Sequence, residues 1–282
     1  MAVAPPRVVA TIHVGGQPTW LALGAGSIWV ANYGAGTVDR IDPRSNRVTA
    51  HIKTGHQPYS VSFGAGSVWA STFDSSTVLR IDPATNRIVS RIDVGAPELA
   101  GITATSTAVW ANLYGAGKVV RIDPATNSVV ATIAVGGNPE DAVLYGGALW
   151  VPNENGTLAR IDPATSAVVA RVRVGADPDN AIACRGRIWT SSLRGPQLVV
   201  VDPRSNRVTA RVSVGTGSVG FACGRSLWTA RYGDGLLLRL DPRTGKITGR
   251  VTVGFQPRAI VLTAGAVWVA NQASGTVSRV TP

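Results

Sequence analysis

Short runs in which apolar and polar side chains alternate cover most of the chain. From Arg47 to Ile52, for example, Val48, Ala50 and Ile52 are separated by polar residues, and this two-residue period is typical of a half-buried β-strand. Glycine and proline interrupt such runs so often that no helical period of 3.6 residues develops. The pattern therefore predicts an all-β protein whose short strands are joined by tight turns.

These predicted strands belong to a unit of about forty residues that repeats along the whole chain. A strand phrase recurs every 39 to 41 residues, with its tryptophan at Trp29, Trp69, Trp110, Trp150, Trp189, Trp228 and Trp268. A turn phrase, Arg-Ile-Asp-Pro or a close variant, keeps the same spacing, with its aspartate at Asp42, Asp82, Asp123, Asp162, Asp202 and Asp241. Four strands per unit, repeated around an axis, form a β-propeller blade. We therefore expect a seven-bladed β-propeller with four antiparallel strands per blade.

The two ends of the chain complement each other. Residues 7–15 match the fourth strand of the units at 47–55 and 87–95, whereas the last unit stops at residue 282, where the turn before its fourth strand should begin. The N-terminal strand should therefore be the outer strand of the last blade and cover an open sheet edge. We expect a single domain spanning residues 1–282.

Composition adds a charge of +11, supplied almost entirely by arginine. Many of these arginines recur two residues before the turn aspartates, so we expect the charge to be spread around the ring and predict no specific nucleic-acid partner. No apolar run approaches the roughly 20 residues that a membrane span requires. We expect a monomer that is secreted or extracytoplasmic in a bacterium, with a cytoplasmic location as the alternative. Residues 1–6 are typical of a trimmed start, so we expect that a signal or a preceding domain can have been removed.

The two cysteines, Cys184 and Cys223, each stand five residues before a repeat tryptophan in adjacent units. A disulfide requires their Cα atoms to lie within roughly 7 Å of each other. Equivalent strands of neighbouring blades splay apart, so two separate buried thiols are the competing interpretation.

The repeat resembles known propellers. Gln17-Pro18, then Gly26-Ser27-Ile28-Trp29-Val30-Ala31-Asn32, then Gly36-Thr37-Val38 and Arg40-Ile41-Asp42-Pro43, is similar to the YVTN/YncE-type repeat and to the related virginiamycin B (streptogramin) lyase family. The likeness covers the whole chain and implies a seven-bladed propeller. It does not by itself imply an activity, because propellers carry unrelated functions.

The lyase family implies a magnesium-dependent enzyme with histidines after the loop proline and glutamates after the tryptophan strand of its last blades. In this chain the corresponding positions are Ser218 and Arg258 for histidine, and Arg231 and Asn271 for glutamate. No histidine or glutamate follows Glu154. Elimination needs a proton acceptor within reach, so the resemblance does not extend to the family's catalytic set and the catalytic residues remain unknown.

The loops that should converge around the central channel carry the candidate binding residues. Carboxylates cluster in three consecutive units, at Glu98, Glu140, Asp141, Asp177 and Asp179, and arginines follow at Arg194, Arg231 and Arg258. Aromatic residues that we expect on the same rim are Trp20, Tyr33, Tyr59, Phe73, Tyr114 and Tyr232. Charges that orient and rings that stack are typical of a site for a polar ligand. The alternative is that these loops vary only because they are solvated.

We therefore predict a non-enzymatic binding module for a small polar or zwitterionic ligand, a peptide, a glycan or a protein. Trp20, Tyr59, Glu98, Glu140, Asp141, Asp179, Arg194, Arg231 and Arg258 are its predicted binding residues. No cofactor is assigned, although the carboxylates could hold Ca²⁺ or Mg²⁺, which favour oxygen ligands. The alternative is a streptogramin lyase-like, metal-dependent enzyme with a relocated site that uses Glu98, Glu140 or Asp179 as its base.

Overall fold

The computed structural model describes residues 4–282, which form 28 short β-strands. The first half contains β1 (Arg7–His13), β2 (Pro18–Gly24), β3 (Ser27–Asn32), β4 (Thr37–Asp42), β5 (Arg47–Lys53), β6 (Pro58–Gly64), β7 (Ser67–Thr72), β8 (Thr77–Asp82), β9 (Arg87–Asp93), β10 (Leu99–Ala104), β11 (Val109–Leu113), β12 (Lys118–Asp123), β13 (Ser128–Ala134) and β14 (Val143–Tyr145). The second half contains β15 (Ala148–Asn153), β16 (Thr157–Asp162), β17 (Ala167–Arg173), β18 (Pro178–Cys184), β19 (Arg187–Ser192), β20 (Gln197–Asp202), β21 (Arg207–Ser213), β22 (Ser218–Cys223), β23 (Leu227–Arg231), β24 (Leu236–Leu240), β25 (Ile247–Thr252), β26 (Pro257–Thr263), β27 (Ala266–Asn271) and β28 (Thr276–Thr281). Within the described range there is no helix, and hence none that could cross a membrane.

The strands pair antiparallel in groups of four, which we call units. Units 1 to 4 are the separate sheets β2–β5, β6–β9, β10–β13 and β14–β17. Units 5 (β18–β21) and 6 (β22–β25) belong to one eight-stranded sheet, in which they are joined by the single pair Ser192 and Ser218. Unit 7 consists of β26, β27, β28 and β1. As predicted, β1 pairs antiparallel with β28, from Arg7 opposite Thr281 to His13 opposite Thr276.

The hydrophobic core lies between neighbouring units. Each repeat tryptophan is buried, and Trp29 of unit 1, for example, packs in one cluster with Val61, Val68 and Leu79 of unit 2. The first strand of unit 1 contacts the first strands of both unit 2 and unit 7, so the units close into a ring around a central channel. The first strands therefore carry the residues that face this channel.

The recurrent arginines join one unit to the next. The Arg40 guanidinium lies over the Trp29 ring at 5.1 Å and donates hydrogen bonds to the Pro83 carbonyl and the Asn86 side chain in the turn of unit 2. The same stacking occurs at Arg80, Arg121, Arg160, Arg239 and Arg279. We call each such arginine, with the turn that it binds, an arginine latch. The sequence suggested only a distribution of charge, whereas the structure gives these arginines a packing role.

The junction between units 5 and 6 has no such latch, because Val200 replaces the arginine and Gly245 stands where the turns of units 1, 2, 3 and 5 carry asparagine. A disulfide between Cys184 and Cys223 crosses the same junction, with the two Cα atoms 5.7 Å apart. The expectation that equivalent strands splay too far apart is wrong here, because both cysteines end the innermost strands, where neighbouring units lie closest. The disulfide thus connects the units that the arginine latch leaves unconnected.

Candidate binding site at the rim of the channel

Two rings of equivalent residues surround one mouth of the channel. In each unit, the first residue on the first-strand side to pair with the second strand, such as Pro18 opposite Asn32, is followed by a residue of the inner ring. The inner ring consists of Thr19, Tyr59, Ala100, Glu140, Asp179, Val219 and Arg258. The outer ring contains the fourth residue after each repeat tryptophan, namely Tyr33, Phe73, Tyr114, Glu154, Leu193, Tyr232 and Gln272. Most of these residues line a cavity of about 410 Å³, which we call the rim cavity.

One wall of the rim cavity is aromatic. Tyr33, Tyr59 and Phe73 contact one another with ring centroids 5.4 to 6.4 Å apart, and Tyr114 extends the wall from Phe73 at 6.4 Å. Most of these pairs are edge-on or tilted, the arrangements that aromatic quadrupoles favour. The wall is therefore a fixed apolar surface provided by units 1 to 3.

The opposite wall is acidic and comes from units 4 and 5. Glu140 and Asp179 are only 6% and 8% exposed. Glu154 accepts hydrogen bonds from the Tyr114 hydroxyl at 2.7 Å and from the Asn138 amide at 2.8 Å. Asp177 lies 3.2 Å from the Arg194 guanidinium. Glu154 and Asp177 thus have partners at the edge, whereas Glu140 and Asp179 form the buried part of this wall.

Arg258 supplies a positive charge between the two walls. Its guanidinium lies over the Tyr59 ring at 5.1 Å and donates a hydrogen bond to the Tyr59 hydroxyl. Within residues 4–282, no carboxylate oxygen comes within 4.0 Å of its nitrogens. Glu140 Oε2 and Arg258 Nε are both buried without a hydrogen-bond partner among the described residues. Buried polar atoms normally have partners, so this cavity has hydrogen-bonding capacity to offer a ligand.

The buried carboxyl groups have strongly perturbed acidity. Burial, followed by the charge of Asp179, raises the pKa of Glu140 well above its usual range. Burial likewise raises the pKa of Asp141 to about 8 and also raises that of Asp179. Burial is the main reason that the pKa of the Tyr59 hydroxyl is raised as well. A low-dielectric site disfavours the charged carboxylate form, whereas a nearby positive charge favours it. A cation that enters the cavity would therefore favour ionisation of these carboxyl groups.

Four predicted binding residues, Tyr59, Glu140, Asp179 and Arg258, come together in the rim cavity. Asp141 and Trp20 do not line it. They directly follow Glu140 and Thr19 along the chain and line a second cavity of about 320 Å³ in the channel. The placement of Trp20 on the aromatic rim is therefore wrong, because the position after Thr19 belongs to the channel interior.

Glu98 also lies outside the rim cavity, and its predicted slot is wrong by two residues. Leu99 pairs with Leu113 as Pro18 pairs with Asn32, so Ala100, not Glu98, occupies the inner ring. Glu98 instead takes the left-handed backbone conformation, with φ of 60°, and its side chain is exposed. Pro97 stands two residues earlier than the other loop prolines relative to the repeat tryptophan, so the residue after it is not equivalent to Thr19 or Tyr59.

Arg194 and Arg231 are the remaining predicted residues, and neither lines the rim cavity. The Arg194 side chain is 82% exposed beside Asp177, and Arg231 pairs with Asp234 in its own loop. Both arginines therefore neutralise nearby acids at the periphery. Of the three arginines expected at the rim, Arg258 is the one that lines the cavity.

Sequence reasoning missed Glu154, Leu193 and Gln272, which line the rim cavity. Their signal was present, because each stands four residues after a repeat tryptophan, as Tyr33 and Phe73 do. Regarding metals, no three histidine, cysteine, aspartate or glutamate side chains within residues 4–282 converge closely enough to hold an ion.

Comparison with known proteins identifies the fold. A family model described as a repeat of unknown function (DUF6923) matches residues 70–183. No curated protein matches the chain in sequence. A hydrazine synthase structure from Kuenenia stuttgartiensis is similar with a TM-score of 0.84 and 16% identity, covering 94% of this chain and 96% of that one. Virginiamycin B lyase from Staphylococcus aureus is similar with a TM-score of 0.86 and 15% identity, covering 98% of this chain and 99% of that one.

This chain therefore has the β-propeller fold that it shares with those two proteins. At 15 to 16% identity the likeness concerns the fold alone, and function has to be argued from the residues of the site.

Proposed function

We propose that the protein is a seven-bladed β-propeller that binds a small organic cation or zwitterion in the rim cavity. Units 1 to 7 are its blades, with units 5 and 6 counted separately because one residue pair joins them. The observation that carries the proposal is the buried, unpartnered Oε2 of Glu140, which lines the same cavity as the aromatic rings.

The two walls suit different parts of such a ligand. An ammonium group is attracted to carboxylates and to the faces of aromatic rings, and the acidic wall and Tyr59 provide both. An apolar or aromatic portion would pack against Tyr33, Phe73 and Tyr114. A carboxylate on the same ligand would pair with the Arg258 guanidinium, so a zwitterion could interact with both the acidic wall and the arginine.

The size of the cavity supports a small ligand. Its volume of about 410 Å³ lies near the lower end of the roughly 300 to 1,000 Å³ that is common for ligand pockets. A single amino acid or an aromatic amine is compatible with this volume. A glycan chain or a folded protein partner would have to contact the surrounding loops instead.

Three matched probes test this proposal by isothermal titration calorimetry at pH 8. Phenethylamine carries a cation, phenylalanine a zwitterion and phenylacetate an anion on nearly the same frame. We expect phenethylamine and phenylalanine to bind at least tenfold more tightly than phenylacetate. Equal affinities, or no saturable binding of any probe, would contradict the proposal.

Two variants localise the binding. Glu140→Gln removes the carboxyl group that would become charged beside a bound cation, with little change of shape, and should weaken phenethylamine binding about tenfold or more, as expected for the loss of a hydrogen bond to a charged group. Glu98→Gln removes an exposed carboxylate outside the cavity and should leave the affinity unchanged. Equal effects of the two substitutions would argue for attraction by overall charge.

A second function, an acid–base enzyme, is favoured by one observation. Burial raises the pKa of Glu140 within a cavity, as is common for catalytic acids. A metal-dependent lyase of this type would need a divalent ion, although Glu98 is not positioned to share a site with Glu140. A thermal-shift titration with MgCl₂, CaCl₂ and EDTA distinguishes the two functions. A metal-dependent shift that disappears in Glu140→Gln supports the enzyme.

A further inference from the structure

A second candidate site lies on the opposite face of the propeller, in a cleft of about 650 Å³ between units 5 and 6. It is lined by Arg185, Arg225, Ser226, Arg239, Asp241, Pro242, Arg243 and Thr248. The three exposed arginines come from three different turns, β18–β19, β22–β23 and β24–β25. We call this feature the arginine cleft.

The arginine cleft departs from the repeat. The turn between first and second strands is Ala-Gly or Gly-Gly in units 1, 2, 4 and 7, as at Ala25-Gly26. In units 5 and 6 the same turn contains Arg185 and Arg225. A turn needs no arginine for its geometry, since Ala25 and Arg185 have the same φ of 49°. Arg225 therefore has no evident structural purpose, and Arg185 makes one long hydrogen bond of 3.4 Å, which it donates to the Gly224 carbonyl across the junction.

Unit 1 provides a matched comparison. Its equivalent groove, of about 450 Å³, is lined by Gly26 in place of Arg225 and contains Arg44 as its one exposed arginine. There the Asn86 side chain of the following turn fills the groove and accepts a hydrogen bond from Arg40. The arginine cleft has no such asparagine, because the next unit is closed by β28 and β1 in place of a turn, and Arg239 donates instead to the Ala4 carbonyl.

The exposed arginines of the cleft are available to a ligand. Within residues 4–282, no carboxylate lies within 4.0 Å of Arg185, Arg225 or Arg243. Asp241 is engaged by the backbone N–H of Arg243 at 2.7 Å, which is the main reason that its pKa is lowered. Arg239 is held by Thr248 and Ala4. The cleft is thus lined by three exposed arginines and one carboxylate, that of Asp241, which forms no ion pair within 4.0 Å with any of them.

The surrounding charge reinforces this local excess. Residues 178–252 contain twelve lysines and arginines but four carboxylates, so they carry +8 of the net charge of +11. The expectation of an evenly spread charge holds for the latch arginines but not for the others. Such a field raises the local concentration of anions and speeds their association.

We propose that the arginine cleft binds a phosphate group, with Arg185, Arg225 and Arg243 as its ligands. Guanidinium groups bind the oxygens of tetrahedral phosphate in bidentate fashion. Three of them suit an anion of more than one charge better than a single carboxylate. The Ser226 hydroxyl is an additional donor at the wall of the cleft.

Inorganic pyrophosphate is the probe, titrated by calorimetry in 50 mM and 300 mM NaCl. We expect saturable binding that weakens in the higher salt, as screening requires. The double variant Arg185→Ala/Arg225→Ala should bind at least tenfold more weakly. Its matched control, Arg44→Ala/Arg47→Ala, removes two exposed arginines from unit 1 and should change affinity less than twofold. Circular dichroism checks that both variants fold.

Two results would overturn the proposal: no saturable binding of pyrophosphate in 50 mM NaCl, or equal weakening in both double variants. Linear polyphosphate then distinguishes two sources of the phosphate group. If the affinity per polyphosphate chain is at least tenfold higher than the affinity for pyrophosphate, the natural ligand is a phosphate polymer. If the two affinities are similar, the natural ligand is a small phosphate compound. Both support the cleft as a phosphate site, and neither depends on the rim cavity.

Discussion

Three neighbouring carboxyl groups, those of Glu140, Asp141 and Asp179, are buried around the channel with one nearby cation, Arg258. Burying an isolated carboxylate is so costly that the group usually binds a proton instead. The raised pKa values of all three groups express this cost. Arg258 offsets part of it, and its own pKa is raised by Tyr59 and Asp179 even though burial acts to lower it. The site is therefore arranged to gain from an incoming cation.

Asp141 should make the stability of the protein depend on pH. Its pKa is about 8 in the folded protein, against an ordinary value of 3.8, so the folded state keeps a proton that the unfolded chain releases. The free energy of unfolding should therefore fall as pH rises from about 4 to about 8, by up to about 1.4 kcal/mol per pH unit.

Thermal unfolding of Asp141→Asn at pH 5 and pH 8 measures this contribution. We expect the variant to be more stable than the wild type at pH 8, by a few degrees in Tm, and to differ little at pH 5. Glu98→Gln serves as the exposed control and should show neither effect. A lower Tm for Asp141→Asn at both pH values would contradict the burial argument.

At the level of strands and turns, units 1 to 4 and unit 7 are each joined to the next unit by the same device. A strand arginine stacks on its own tryptophan and reaches the following turn, as Arg80 does toward Pro124 and Asn127. The aspartate of each turn also fixes the turn itself. The Asp42 carboxylate, for example, accepts a hydrogen bond from the Arg44 backbone N–H, which is the main reason that the pKa of Asp42 is lowered. The junction of units 5 and 6 replaces this device with a disulfide.

Loss of that disulfide should weaken the propeller at this junction. Because no arginine latch supports it, we expect reduction of Cys184–Cys223 to lower the free energy of unfolding by about 2 to 4 kcal/mol. Urea unfolding with and without dithiothreitol measures this difference. The double variant Cys184→Ala/Cys223→Ala should resemble the reduced protein and no longer respond to dithiothreitol. An unchanged midpoint on reduction would contradict a structural role for the bond.

Much of this architecture could be predicted because the repeat makes equivalent residues comparable. The tryptophan strands, the aspartate turns and the closing strand β1 all follow from spacing and alternation. The errors arose where one unit breaks the spacing, as Pro97 does before Glu98. The arrangement of Trp20 and the approach of Cys184 to Cys223 depend on depth in the channel, which a linear pattern does not contain.

The whole molecule carries its two candidate sites on opposite faces. The rim cavity combines aromatic units 1 to 3 with acidic units 4 and 5, whereas the arginine cleft lies at the other end of units 5 and 6. A closed ring holds both sets of residues at fixed distances because each unit is packed on two neighbours. The proposed cation site and the proposed anion site are therefore separate from each other on the molecule.

The affinity for phenethylamine, measured by calorimetry from pH 6 to pH 9, examines the function proposed for the rim cavity. An alkylammonium group, like that of lysine, keeps its proton below about pH 10, whereas burial raises the pKa of Glu140 and of Asp179, so that these carboxyl groups become charged only as the pH rises above the ordinary carboxyl range. Binding should therefore release protons, and the affinity should rise by at least tenfold from pH 6 to pH 9 in the wild type but much less in Glu140→Gln. An affinity that is flat or falls with pH would show that the buried carboxyl groups do not bind the cation.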